Sequence, residues 1–450
     1  MSRSSLRLHE ISCAFALVGV TLILSLSVAR SADAAFSWRQ YQGTTLRVLL
    51  SDSHWQQVMQ ASFPAFEERT GIKLAVEVLP QGQLWDVLER GLDEPGRVDV
   101  FMTVPNLDGL RFLRLGKLHP VTALLRDPER TAPEFAWDDF LPQTRAAMEW
   151  DGAILGPPVM GEHLALLYRK DLFQQEQMPA PTTLPELEAA ARLFHGKSMD
   201  GKGGKGVGVV MRGQGTLATS VYAGVLHALG GHWFDTQGRS TAARPESLSA
   251  LELLGRLAGY APPRLPTFGW QEALELFSAG SAAMYLEGSS IYPLIEENSA
   301  SRVRGKVGYA LFPSGPGGPG TSVAVKGLAI GARSSNPAAA WLFLQWAAGP
   351  EMTRRALQKG VLVCRESAWR DPALTPPIPT DLAQSFQQAG RTGNPVWAPP
   401  MVAVTAGREA IGKAIEAAFR GEDLRAAAQA AERRMADILA ATEPATSPRP

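Results

Sequence analysis

FGWQEALELFSAGSAAMYLEGSSIYPLIEE, Phe268 to Glu297, is the stretch whose reading decides the fold. It reads as a short amphipathic helix with Leu274 and Phe277 on its apolar face, a turn punctuated by Gly280, a buried strand AAMYLEG, and a second helix opened by Ser289 or Ser290. RVRGKVGYALFPSGPGG follows, with KVGYALF as a strand running into a Gly/Pro loop. A strand that stops at a glycine, with a helix opening just beyond it, presents polar backbone and aromatic edges to a ligand. Nothing in the stretch carries catalytic grammar, so the expectation is a binding site.

Working outward, a chain of 450 residues is too long for one ordinary core, and two lobes or domains are expected. With 44 Lys and Arg against 44 Asp and Glu, the net charge is zero. No basic tract interleaves with aromatics, so a nucleic-acid partner has no electrostatic basis. Eleven tryptophans are a generous supply, most for the core and a minority for a pocket wall. At the N-terminus, Arg3 and Arg7 precede the apolar run Ile11 to Val28, and Ala32 and Ala34 supply a small-x-small pattern. This predicts a signal peptide over residues 1–34, cleaved near Ala34 or Ala35, and a periplasmic location. An uncleaved anchor competes, because a run of that length just spans a bilayer. Cys13 would leave with the signal peptide, so Cys364 remains alone and no internal disulfide forms.

TTLRVLLS (Thr44 to Ser51) and IKLAVEVLP read as strands around one helix of about five turns, SHWQQVMQASFPAFEERTG, ending at Gly71. That is the βαβ pattern of a parallel sheet. RVDVFMTV, Arg97 to Val104, is a third strand that empties into Pro105 and Asn106. Ligands in such sheets lie beyond the carboxyl ends of strands, which singles out Asp52, Ser53, His54 and Asn106. The prolines of AILGPPV mark an edge strand or a crossing between lobes. Gly161 to His163 then reads as a turn before the strand LALLYR, with Glu162 and His163 either ligand-facing or merely solvated.

PTTLPELEAAARLFHG opens a helix with a Thr cap and Pro185 in its first turn. The following KSMDGKGGKG, Lys197 to Gly206, holds two decoys. Gly196, Lys197 and Ser198 mimic the end of a P-loop, but Ala191 stands where its first glycine belongs. Gly201, Gly203 and Gly206 match a dinucleotide spacing, but they follow a helix and precede the strand VGVVMR, the wrong order. Nucleotide binding is excluded at both. Arg212, at the end of that strand, suits hydroxyls or an anion, or an interlobe salt bridge. Farther on, SVAVKGLAIG reads as two strands with a loop at Lys326 and Gly327. The segment GREAIGKAIEAAFRGEDLRAAAQAAERRMADILAA is helical, with a composition that suits packing on the outside of a lobe.

FEERTGIKLAVEVLP, DVFM with GKLHPV, DGAILGPP leading to LLYRKDLF, PTTLPELEAAARLF, LGGHWFD, FSAGSAAMYLEGSS, KVGYALFPSGPGG and KGLAIGARSSNPAAAWLFLQWAAGPE occur in one order. In that order they resemble the family 1 extracellular solute-binding proteins of ABC importers, the maltose-binding-like group. VGVVMRGQG, FGWQEALELFSAG and PVWAPP look most like the branch that handles polyols such as mannitol and sorbitol.

The resemblance implies an α/β class II periplasmic binding protein fold of two lobes, each a βαβ-type sheet flanked by helices. By analogy, residues 36–156 and 309–350 form lobe 1, residues 157–308 and 351–441 form lobe 2, and 442–450 are a disordered tail. Crossings are expected near Leu155 to Pro158, Val307 to Phe312 and Gly349 to Met352. The implied function is capture of a sugar or polyol by hinge closure and delivery to inner-membrane permease subunits, by a monomer without cofactor, metal or catalytic residues. Trp270 is the foremost aromatic candidate, with Trp55, Tyr292, Trp397 and Trp233 behind it. Asp52, His54, Asn106, Glu162, His163, Arg212, Glu287, Ser289, Ser290, Lys326 and Gly327 are the polar and backbone candidates.

Lys326 stands where relatives often carry a Trp or a second Gly. With Arg212, Arg365 and two histidines it raises an anionic sugar derivative as an alternative ligand. An exported glycoside hydrolase using Asp52 with Glu162 or Glu287 is the competing function. No H-E-x-x-H, no G-x-S-x-G and no Cys/His ligand spacing supports other hydrolase classes.

Overall fold

The strands are β1 (Thr45–Ser51), β2 (Lys73–Leu79), β3 (Val100–Thr103), β4 (Leu118–His119), β5 (Glu149–Trp150), β6 (Ala153–Ile154), β7 (Pro158–Arg169), β8 (Val207–Met211), β9 (Ala282–Gly288), β10 (Val307–Leu311) and β11 (Val323–Gly331). They come from a computed structural model that describes residues 36–199 and 204–443. The expected signal peptide, residues 444–450 of the expected tail and the centre of the Lys197–Gly206 loop lie outside the described residues. The helix at Leu424–Thr442 reaches into the first residue of that expected tail.

One sheet runs β2-β1-β3-β11-β7-β9-β8, with β4 on β11 and β10 on β7, while β5 and β6 pair separately. β1 lies parallel to β2 and β3, as the βαβ reading predicts. β11 pairs antiparallel with β3 through Gly327–Ile330 and with β7 through Val323–Gly327. β7 in turn pairs with β9 through Leu164–Tyr168 and with β10 through Ala165–Arg169. β7 and β11 are therefore the strands that join the two halves of the sheet.

This pairing revises several expectations. Glu162 and His163 are not in a turn but midway along the twelve-residue β7, where its partner changes from β11 to β9. Lys326 and Gly327 are not a loop but a shift of register within β11, a β-bulge. β10 pairs only with the far part of β7, so the strand that reaches both halves is β11 and not Val307–Phe312. The third passage is also later than Gly349–Met352. The helix Pro350–Gln358 packs against His54–Gln60 of the first half, the helix Thr380–Thr392 already packs on β10 and β7, with Tyr309 N donating to Asp381, and the helix Val404–Arg420 packs on Gly215–Ala228. Between them Asn394 runs beside β11, accepting from Val323 N and donating to Thr321 O.

Local chemistry explains the elements. The expected five-turn helix breaks into His54–Gln60 and Phe63–Thr70 because Pro64 lies in the first turn of the second, where its missing N–H costs nothing. Ser53 caps the first by accepting from Gln56 N, and Gly71, at φ 71°, ends the second. Pro158 begins β7, the place in a strand that tolerates a missing donor, and Pro157 O accepts from Leu328 N. A Cβ on Gly156 would stand 1.8 Å from Leu328 O, so only glycine lets the chain enter the crossing beside β11.

Period-two alternation sorts side chains to the faces of the far sheet. Ala165, Leu167, Val210 and Tyr285 join one core, and Leu164, Leu166, Val209, Met211 and Leu286 join the other. The helix Pro337–Ala347 is apolar all round and buried. Its Gln345 is satisfied by donating to Arg130 O and accepting from Ala132 N. The helix Val404–Arg420 crosses Gly215–Ala228 at very close range. A Cβ on Gly412 would come within 2.7 Å of Gly215 C, so glycine at both positions lets the backbones touch.

Candidate functional site

The opening stretch folds as predicted. The helix Trp270–Ser278 leads to Gly280 (φ 79°), then β9, a 3-10 turn at Ser289–Ile291 and the helix Tyr292–Glu296. Glu287, at the end of β9, is almost fully buried and accepts from Arg212 Nε at 2.7 Å and Arg212 Nη2 at 2.5 Å. It accepts as well from Tyr285 Oη (3.0 Å) and from Gly288 N (2.7 Å). Four donors thus fix one carboxylate, which in turn fixes the guanidinium at the end of β8 and leaves Arg212 Nη1 without a partner among the described residues. Burial opposes the charge on Arg212, but the Glu287 carboxylate overrides it and holds the pKa above its ordinary value.

β7 and β11 contribute the next layer. Glu162 is opposite Ala324 and Lys326 opposite Met160, so Glu162 and Lys326 are diagonal neighbours on one sheet face. Ser290 Oγ donates to Glu162 Oε2, and a Cβ on Gly288 would lie 2.6 Å from the same oxygen. Glycine at 288 is what lets the carboxylate rest there. Lys326 Nζ donates to Ser51 Oγ at 3.0 Å, at the end of β1. Burial lowers the Lys326 pKa, while Glu162, Asp108 and Asp52 pull it the other way.

After β3, Asp108 accepts from Trp85 Nε1 (2.7 Å), Val104 N (3.0 Å) and Thr103 Oγ1. Burial pushes its pKa up to about 6 against these three donors. Asn106 donates to Pro395 O (2.9 Å) and accepts from Trp397 N (3.1 Å), which clips the third passage to the first half. Trp397 lies under the Arg408 guanidinium, 5.6 Å from its ring centroid. Arg408 reaches there from the Val404–Arg420 helix by donating to Thr219 Oγ1 and Thr216 O. The charges of Arg212, Glu287, Glu162 and Lys326 thus act on one another across the two halves, and Arg408, over the Trp397 ring, acts on Arg212, which makes this region the candidate site.

Residues 52–354 match the bacterial extracellular solute-binding protein family. The chain belongs to that family. It is 30% identical to the mannitol-binding protein of Pseudomonas aeruginosa over 64% of its own length, a match that spans 65% of that relative. It is 26% identical to the erythritol/L-threitol-binding protein of Mycolicibacterium smegmatis, over 74% of this chain and 72% of that one. Among solved structures, a ribitol complex of an ABC transporter solute-binding protein from Agrobacterium radiobacter K84 superposes with a TM-score of 0.73 at 25% identity, covering 88% of this chain and 99% of the other. This solute-binding protein thus has the two-lobed α/β fold of the maltose-binding-like group. No helix among its described residues is long and apolar enough to cross a membrane.

The residues singled out in the sequence separate into two sets within the solute-binding fold. Arg212, Glu287, Glu162, Ser290, Lys326, Asn106 and Trp397 gather as described. Asp52, at the end of β1, holds Gln57 and contributes its charge toward Lys326. Trp270 opens its helix with 37% of its surface exposed, its carbonyl sharing with Glu287 the one proton of Tyr285 Oη. His54 stands at the start of its helix, near Gly360.

Others are walled off. Trp55 is buried in the first core, and Trp233 in the second with its indole N–H on Val396 O. Tyr292 Oη is bound to Gly360 O. His163 points opposite to Glu162, because neighbours on a strand alternate, and packs on Phe386 with both ring nitrogens unpartnered. Burial lowers its pKa to about 3. Ser289 Oγ accepts from His163 N, and Gly327 backs onto Met148. Arg365 is fully buried, held by Phe135 O, Ala136 O, Ala348 O and Asp139, so it has no part in an anion site.

Asp108, Tyr285 and Arg408 were missed. Asp108 lies two residues beyond the strand-end position the sequence pointed to, and Tyr285 was legible only as a buried strand residue. Arg408 sits in a helix whose composition suggests outer packing, and only the glycine-mediated helix crossing brings it inward.

Proposed function

We propose that this protein is a periplasmic receptor that captures a carbohydrate or polyol between its lobes and delivers it to the permease subunits of an ABC importer. The observation that carries the reading is the convergence of charged groups from both lobes: Lys326 and Asp108 from the first, Arg212 and Glu287 from the second, with Glu162 on the strand joining them. Such groups hydrogen-bond to hydroxyls, while Trp270 and Trp397 offer faces for the carbon chain. The mannitol, erythritol/L-threitol and ribitol ligands named for the relatives are of this class. We assign closure to bending of β7, β11 and the passage near residues 394–400, with export by cleavage of the N-terminal segment and action as a monomer.

The hydrolase alternative finds no support in the relatives, and Glu287, one of its candidate carboxylates, is engaged by four donors. Thermal shift and calorimetry with mannitol, ribitol, erythritol and a panel of sugars test the receptor reading. Saturable one-to-one binding with a rise in Tm is expected. Release of product from labelled oligosaccharides, without stoichiometric binding, would overturn it.

A further inference from the structure

The two sides of the site differ in charge. On the side of β7 and β1, carboxylates accompany Lys326, as acceptors suited to ligand hydroxyls. On the other side, where β8 ends beside the helix Gly215–Ala228, donors dominate. Arg408 has hydrogen bonds only to Thr219 Oγ1 (2.9 Å) and Thr216 O (2.7 Å), both neutral, and no carboxylate lies within salt-bridge distance of it among the described residues. The charge that reaches it is that of another cation, Arg212. Arg212 already has its counter-ion in Glu287, whose oxygens are engaged by four donors and offer nothing to Arg408. The Arg408 guanidinium lies over the Trp397 ring, whose indole N–H is enclosed by the protein and has no acceptor among the described residues. Glu416, two turns along the same helix, is bound to Gly215 N and Arg420.

Buried cations are paired and buried N–H groups accepted in nearly all folded proteins, because leaving them unsatisfied is costly. Here the Arg408 guanidinium, partly buried against the Trp397 ring and near Arg212, has no carboxylate counter-ion among the described residues. We infer that the ligand is an acidic polyol, a polyhydroxylated monocarboxylate of the aldonate class, whose carboxylate is received by Arg408 and Arg212 Nη1. The inference rests on the receptor reading and narrows its ligand.

Calorimetry on the full chain at pH 7 compares D-mannonate and D-gluconate with D-mannitol and D-glucitol, which have the same carbon skeletons. The aldonates should bind tighter than the alditols by roughly tenfold or more, as a charge-assisted contact to a desolvated cation requires. Arg408→Gln should remove that preference and Arg408→Lys should keep most of it, with circular dichroism melts establishing that each variant is folded. If Arg408→Gln does not fold, the wild-type comparison decides alone. Equal or tighter binding of the alditols would overturn the acidic-polyol inference and leave the receptor reading standing. An absence of binding by aldonates, alditols and neutral sugars alike would overturn both.

Discussion

Replacing Glu287 by Leu would leave Arg212 Nε, Arg212 Nη2 and Gly288 N without the acceptor they share, and Tyr285 Oη with Trp270 O alone. Removing one partner of a buried ion pair costs about 3–5 kcal/mol, largely because the remaining charge is stranded. The Arg212 side chain is 26% exposed, so water relieves part of that cost and the lower end, about 3 kcal/mol, is expected. The double variant Arg212→Met, Glu287→Leu strands no charge, and Tyr285 Oη keeps Trp270 O. It should lose about 1–2 kcal/mol despite carrying two changes, because well-packed apolar replacements of buried pairs are often tolerated. Urea titration at pH 7, with m held common, measures each step of the cycle. A coupling of about 2 kcal/mol is expected, and one below about 0.5 kcal/mol would refute the claim that the pair is desolvated. The same samples separate folding from function: the folded double variant should show no ligand-induced rise in Tm.

Trp270→Ala should abolish the ligand-induced Tm shift while changing unliganded stability by no more than about 0.5 kcal/mol, as befits a partly exposed side chain; an unchanged shift would remove Trp270 from the site. Gly288→Ala should displace the Glu162 carboxylate, the flexible group its Cβ would meet, and weaken binding about tenfold with little loss of stability, as read by calorimetry. Two buried groups set opposing pH dependences. The folded pKa of Asp108 is raised by burial to about 6, so its contribution is fully present below its unfolded value near 4 and is lost as pH rises through 6. The folded pKa of His163 is lowered by burial to about 3, so its contribution is present above about 6.5 and is lost as pH falls toward 3. Urea midpoints between pH 4 and 6 should therefore vary little in the wild type, fall with rising pH in His163→Leu, and rise with pH in Asp108→Asn.

What the sequence made legible was local. The helix, strand and helix of Phe268–Glu297, the stops at Gly71 and Gly280, and the capped helix after Thr183 all follow from residue pattern and turn chemistry, and the structure carries them. What it hid was partner choice. Gly161–His163 looks like a turn because Gly and charged residues interrupt an apolar run, yet the interruption marks only the place where β7 exchanges neighbours. Lys326 looks like a loop residue for the same reason, and is a bulge that aims a cation at Ser51. Trp270 is the foremost stacking candidate because it lies outside the apolar face of Leu274 and Phe277, whereas Trp55 carries no such signal in the sequence. The difference between them is set by which helix face meets the first core, a long-range fact.

The exchange of neighbours along β7 also bears on how binding and closure are coupled. Glu162 sits one residue before β7 leaves β11 for β9, and Lys326 sits at the bulge where β11 leaves β7 for β3. Lys326 is therefore placed at an irregularity of the ladder, and Glu162 beside an exchange of strand partners. Their partners come from opposite halves: Ser290 holds Glu162 from the second, and Ser51 holds Lys326 from the first. A ligand bridging Glu162 and Lys326 would contact both halves at the pivot itself, so its differential affinity for the closed arrangement can act over a short lever without remote transmission. Trp397 lies on the third passage, which Asn106 fastens to the first half, and Arg408, on the following helix, covers the Trp397 ring while Thr216 and Thr219 fasten it to the second half. Binding at either end of the site thus acts on a connection between the halves, and Asn106→Ala, which removes the contacts to Pro395 O and Trp397 N, should weaken ligand binding in calorimetry; unchanged affinity would refute this coupling.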